Sequence, residues 1–245
     1  RKEELVDTVK KDLERVIETV RKLSEDVKEK IRRVLEDIDR LSKEVHETNK
    51  RVVEELEDKK SLEEIVKLLE ESAKRASRLL KELVRELKEV LKEASDLLRE
   101  IVERVERVLK KIVDLLRESG TPEELVRTLE ELVRRVVERL KKLVDDHEKL
   151  VKEIAEKLEK LVEEHERISR RVVEELRELL RKISDEETVL RELVKLIRDH
   201  NRMHEEVVRR LKKIIEEALK LHDEVSRRVA ELLREVIELL DRVAK

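Results

Sequence analysis

Six histidines are the side chains in this sequence that titrate closest to neutral pH: His46, His147, His165, His200, His204 and His222. Their spacing is not random. His147 and His165 stand 18 residues apart, as do His204 and His222, and the serine pairs Ser24/Ser42 and Ser77/Ser95 repeat the interval. That interval is about five α-helical turns, so both members of a pair project from the same side of a helix. Three chemistries use such groups. A serine beside a histidine can be a nucleophile, but that needs a strained elbow and an oxyanion loop, and one glycine in the whole chain cannot supply them. The same scarcity excludes glycine-rich phosphate loops. The chain is therefore expected not to be an enzyme.

Metal binding is the second chemistry. His200 and His204 are four residues apart in DHNRMHEE, so both rings share a helix face, with His46 and His165 at similar heights. The run is not H-E-x-x-H, and the flanking Asp146, Glu164, Asp199 and Glu205 are expected to point outward. The main reading assigns no metal and no cofactor, and these four histidines are the alternative. The third chemistry is proton sensing. A buried neutral histidine resists protonation, so acid would loosen such sites locally.

The elements that must position these groups are long helices. Three breaks interrupt the apolar pattern, and each carries an N-cap signature: Ser61 with Glu64, Thr121 with Pro122 and Glu124, and Ser184 with Glu187. Gly120 suits the left-handed residue that ends a helix. Four helices follow, over about 1–59, 62–118, 122–182 and 185–245, each roughly 90 Å long. Loops this short send each helix back along the one before it. The expected fold is all-α: a single-chain antiparallel up-down-up-down four-helix bundle, one domain over 1–245, with nearly straight helices.

The seam of the third helix reads Leu143, His147, Leu150, Ile154, Leu158, Leu161, His165, Ile168. Loop counting places residue i of the first helix level with 120 − i, 120 + i and 247 − i on the others. Ser24 then lies level with Ser95, His147 and His222, and Ser42 with Ser77, His165 and His204. A looser cluster of His46, Thr48, Asn49, Ser72, Ser169, His200 and Asn201 adjoins the second layer. Thr8 and Thr128 also match in level, and Met203 reads as a gap filler. A buried hydroxyl or imidazole left without a partner costs roughly 1–3 kcal/mol, so such layers penalise slipped registers.

Composition closes other doors. Charged residues make up 51% and hydrophobic residues 38%, a mix that marks long helices or coiled coil. Lys and Arg total 61 against 64 Asp and Glu, and there is no Phe, Trp or Tyr, so neither a basic face nor a stacking platform exists for nucleic acid. Without cysteine there is no disulfide. No apolar run has the length of a membrane span, and the first residues already read as amphipathic helix, not as a targeting signal. The expectation is a soluble chain, cytoplasmic when made recombinantly. It needs no partner and is monomeric, with helix swapping or lateral association as the route to a homo-oligomer.

Helices rich in Leu, Val, Glu, Lys and Arg, the three capped breaks, the missing aromatics and the repeated Ser/His/Asn layers resemble de novo designed helical bundles with buried hydrogen-bond networks. That resemblance implies a structural scaffold whose polar layers set helix register, without natural activity. The alternatives are a pH-responsive or assembly-forming helical module and a histidine-based metal-binding bundle. Natural spectrin-like or apolipoprotein-like helices are the second resemblance, set aside because those use aromatics and glutamine freely.

Overall fold

A computed structural model of the chain describes residues 2–57, 62–182 and 185–245. Four helices account for almost all of them: α1 (Lys2–Glu57), α2 (Leu62–Glu118), α3 (Glu123–Lys182) and α4 (Glu186–Ala244). No strand occurs among the described residues. The fold is an all-α four-helix bundle. Each of α1, α2 and α3 opens on two glutamates in its first turn, while α2, α3 and α4 close on arginine or lysine, which suits the helix dipole at both ends.

The α2–α3 corner shows how local sequence sets the turn. Gly120 has φ 81°, a left-handed value that a Cβ would strain. Thr121 N–H donates to Leu116 C=O at 3.2 Å and Gly120 N–H to Arg117 C=O at 3.4 Å, which satisfies the last carbonyls of α2 as a Schellman motif. Pro122 then supplies its carbonyl to Leu125 and Val126, starting α3. The Thr121 hydroxyl pairs with Ser119 Oγ at 3.3 Å. Ser61 and Ser184, expected as caps, lie outside the described residues. At α4 the capping side chain is Asp185, whose carboxylate accepts from Thr188 Oγ1 at 2.8 Å.

The chain forms two compact units. Unit 1 comprises residues 1–30, 89–153 and 218–245, and unit 2 comprises residues 31–88 and 154–217. Each contains a stretch of all four helices. In unit 1, Leu13, Val20, Leu98, Leu109, Leu140 and Leu233 belong to one aliphatic core. Its ion pairs Lys28–Asp223 and Lys10–Asp241 set α1 antiparallel to α4, and Arg99–Asp145 and Lys141–Glu106 do the same for α2 and α3. In unit 2, Ile38, Leu80, Leu87, Leu158 and Leu211 are buried, and Val52, Ile65, Leu176, Leu193 and Ile197 form a core cluster. Lys212–Asp39, Lys88–Glu159 and Arg177–Glu70 repeat the antiparallel pattern there.

Two details of the apolar pattern differ from the sequence reading. Leu150 is 38% exposed, and Val144 and Val151 take the buried row of α3 instead. The level relation between α1 and α4 runs one helical turn later than loop counting gives, because residue 28 faces 223.

Candidate functional site

α3 carries His147 and His165 on its buried row, and α4 carries His204 and His222 on the row that faces it; all four are at most 2% exposed. They pair across α3 and α4, once in each unit.

In unit 2 the groups form a chain of hydrogen bonds. Ser77 Oγ donates to Ser169 Oγ at 3.2 Å. Ser77 Oγ also lies 2.9 Å from His165 Nδ1, so with its own proton engaged it accepts from Nδ1–H. His165 Nε2 is then the bare lone pair, and it takes the Nδ1–H of His204 at 2.6 Å. The two rings meet edge-on with centroids 4.8 Å apart. His204 Nε2 ends the chain without a partner, as does Nε2 of the neighbouring buried His200. On the α1 side, Asn49 donates its amide to the Asn201 carbonyl.

Unit 1 repeats the start of this arrangement. Ser95 Oγ lies 2.7 Å from His147 Nδ1. His147 and His222 also meet edge-on, but at 5.7 Å. No hydrogen bond joins them: His147 Nε2, both ring nitrogens of His222 and Ser226 Oγ are buried and unpartnered. Ser24 is buried beside Ser226 in a groove of about 270 Å³.

Burial governs the protonation of these rings. Desolvation pushes His165 down to about 3, with His204 and His200 adding like-charge repulsion. It pushes His204 to about 4, again with repulsion from His200, and lowers His200. In unit 1, desolvation pushes His147 to about 4 against the pull of Glu148, and pushes His222 to about 4 with repulsion from His147 added and Asp223 pulling the other way.

The structure thus brings Ser77, Ser169, His165, His204 and His200 together, with Asn49 and Asn201 in the same unit, and in unit 1 Ser95, His147 and His222. Other candidates lie elsewhere. His46 projects to the surface, its ring Nδ1 3.9 Å from Glu205, because its position falls on the polar side of α1. Ser42, Ser72 and Thr48 are half-buried. Thr8 and Thr128 are exposed and donate to their own helices at Glu4 and Glu124, so they form no pair. Met203 is 44% exposed and fills no gap. Sequence reasoning missed Ser226. It sits one turn beyond His222 on the same helix face, a polar residue in an aliphatic row, which is the signal that could have found it.

The alternative metal set does not assemble, since His46 faces solvent while His165 is committed to Ser77 and His204. Among the described residues there is no group of three or more His, Cys, Asp or Glu that could hold a metal ion. No described helix is long and apolar enough to cross a membrane. A groove of about 620 Å³ runs between α3 and α4 in unit 2, floored by Ile168, Val172, Leu196 and Val207, with His200 among its lining residues.

Four amphipathic helices with hydrogen-bonded neutral side chains in an aliphatic interior define the class: an all-α helical-bundle protein. The family model described as apolipophorin-III precursor (apoLp-III) matches residues 42–187, more than half of the chain, and the chain belongs to that family. No curated protein and no solved structure matches it.

This match overturns the resemblance to designed bundles and, with it, the reading as an engineered scaffold without natural activity. The physical reason is that both kinds of sequence meet one demand. An aliphatic residue every 3.6 positions, flanked by Glu, Lys and Arg, satisfies any long amphipathic helix, so missing aromatics and glutamine do not separate them. Coiled coil is corrected likewise: the 18-residue recurrence follows an untwisted helix, not a heptad.

Proposed function

We propose that this chain is a helical module that opens and lays the apolar faces of its helices on a lipid surface. One observation carries the reading. Every helix has a single aliphatic stripe that runs its length and is buried against the stripes of the other three. Such stripes can exchange one apolar partner for another without loss of helical structure, and amphipathic helices of this kind lie in membrane interfaces. The family match supports a lipid partner over a purely structural role. The family description as a precursor supports a secreted chain over a cytoplasmic one. The closed form is proposed to be a monomer, which light scattering at the chain mass of 29.4 kDa would register; a swapped dimer would scatter at twice that value.

The test is flotation with phosphatidylcholine vesicles, read together with far-ultraviolet circular dichroism. The expected result is vesicle association with helicity retained. Asp39 of α1 and Lys212 of α4 form an ion pair in unit 2. Replacing both, Asp39→Cys and Lys212→Cys, and joining them with a short bis-maleimide ties α1 to α4 in a chain without native cysteine. The tied chain is expected to lose association. Undiminished flotation of the tied chain overturns the reading.

A further inference from the structure

We infer that protons gate this module, and that acid parts α3 from α4 in unit 2 ahead of unit 1. The inference rests on the lipid-surface reading only for its biological use, because the seam itself can be read without lipid.

The hydrogen-bond chain of unit 2 runs in one direction. His204 donates to His165, His165 to Ser77, and Ser77 to Ser169. The protons of Ser77 Oγ, His165 Nδ1 and His204 Nδ1 are all used, and the one free lone pair in the chain's rings is His204 Nε2. A first proton therefore goes to His204 and leaves the chain intact, with a cation now donating to His165. A second proton has only His165 Nε2 to take, and that atom is the acceptor in the 2.6 Å contact. Two imidazolium N–H groups cannot point at each other across that distance, so the second proton separates the rings.

Nothing around the pair offsets the charge. From α1 the neighbours in the layer are Asn49 and the half-buried Ser42; from α2, Ser77; from α3, Ser169; from α4, His200 and Asn201. All are neutral, and His200 would repel when charged. The carboxylates of Glu164, Glu166 and Glu205, which adjoin these histidines in sequence or at the same level, are in contacts with Arg210, Lys81 and His46. Unit 1 differs at His147, where Glu148 favours the cation, although at His222 repulsion from His147 and from Lys28 opposes the pull of Asp223. Its two rings also share no hydrogen bond to break. The 620 Å³ groove follows the same α3–α4 seam, with His200 in its wall.

Hydrogen–deuterium exchange of the full chain at about pH 7.5 and about pH 4, corrected for the intrinsic rate, reads the seam directly. Both units are expected to lose protection at acid pH, residues 160–172 and 196–208 by at least about tenfold more than residues 140–151 and 218–229. The double substitution His165→Asn with His204→Asn is expected to abolish the difference between units, whereas His147→Asn with His222→Asn leaves it. His165→Leu with His204→Leu, which keeps an apolar core, guards against a variant that unfolds at neutral pH. Equal loss of protection in both units, or loss in unit 2 that survives all substitutions at His165 and His204, overturns the inference. Phosphatidylcholine flotation at both pH values separates the two ideas: exchange that opens unit 2 without vesicle binding at either pH sinks the lipid reading alone, and binding that ignores pH sinks the gate alone.

Discussion

His165 Nε2 stands 2.6 Å from His204 Nδ1, while the matching pair in unit 1, His147 and His222, keeps its ring centroids 5.7 Å apart with no bond between them. The same two residue types at the same interval thus give one closed network and one open one. The difference follows from their neighbours. In unit 2 a serine follows His165 by one turn on α3, at Ser169, whereas in unit 1 the extra serine follows His222 on α4, at Ser226. Ser169 draws the proton of Ser77 and so orders the whole chain of donors, and Ser226 has no partner to order anything.

Stability should depend on pH in a defined window. The four paired histidines carry folded-state values of about 3 to 4, below the ordinary value of 6.5. Their contribution is fully present above about pH 6.5 and is lost as pH falls toward the folded values, at about 1.4 kcal/mol per pH unit for each uncoupled group. Guanidinium denaturation between pH 7.5 and 4 should show a falling midpoint. A midpoint that holds constant over that range contradicts the buried neutral state.

The two serines should respond in opposite ways. Ser77→Ala strips His165 Nδ1–H of its acceptor in a buried site and should cost about 1–3 kcal/mol. Ser226→Ala removes a buried hydroxyl that has no partner and should be neutral or stabilising. Denaturant midpoints of the two variants against the parent decide this, and equal losses would show that Ser226 is bonded after all.

Leucine truncations should separate by position. Leu158 is fully buried and Leu97 is 42% exposed. Leu158→Ala should cost about 2–5 kcal/mol through lost burial and the cavity left behind. Leu97→Ala should stay within about 0.5 kcal/mol of the parent. Chemical denaturation of both variants would show whether α2 and α3 are rotated as described.

The start of α4 should fray when its cap is removed. Asp185→Ala deletes the acceptor for Thr188 Oγ1 and should cost the helix end about 1 kcal/mol. Amide exchange over residues 186–192 is the appropriate readout, since global unfolding would dilute the effect. Unchanged exchange there would assign the cap to another side chain.

Much of this architecture is legible in the sequence. The 3.6-residue recurrence of Val, Ile and Leu and the three breaks prescribe four antiparallel helices, and counting through the loops places His165 level with His204. The Gly120 corner is equally direct, because that sequence can end one helix and begin the next. What escaped has identifiable causes. Counting through loops fixes levels only to about a turn, and a one-turn error between α1 and α4 hid the proximity of Ser24 and Ser226. Leu150 and Val151 are adjacent apolar residues, and periodicity alone cannot say which faces inward until helix rotation is known. His46 looked like a network member because its height was right, but height does not specify direction. The lipid-related family was not separable from a designed bundle by composition, since both obey the same amphipathic rule.

One feature of the α2–α3 corner has a practical use. A Cβ built on Gly120 meets no atom within 4 Å, so space is no obstacle there and only the hand of the residue is. A mirror-image alanine, introduced by chemical ligation, has the hand that this φ prefers and would stiffen the corner without touching either core. Such a chain would show whether the join between α2 and α3 must flex when the protein works.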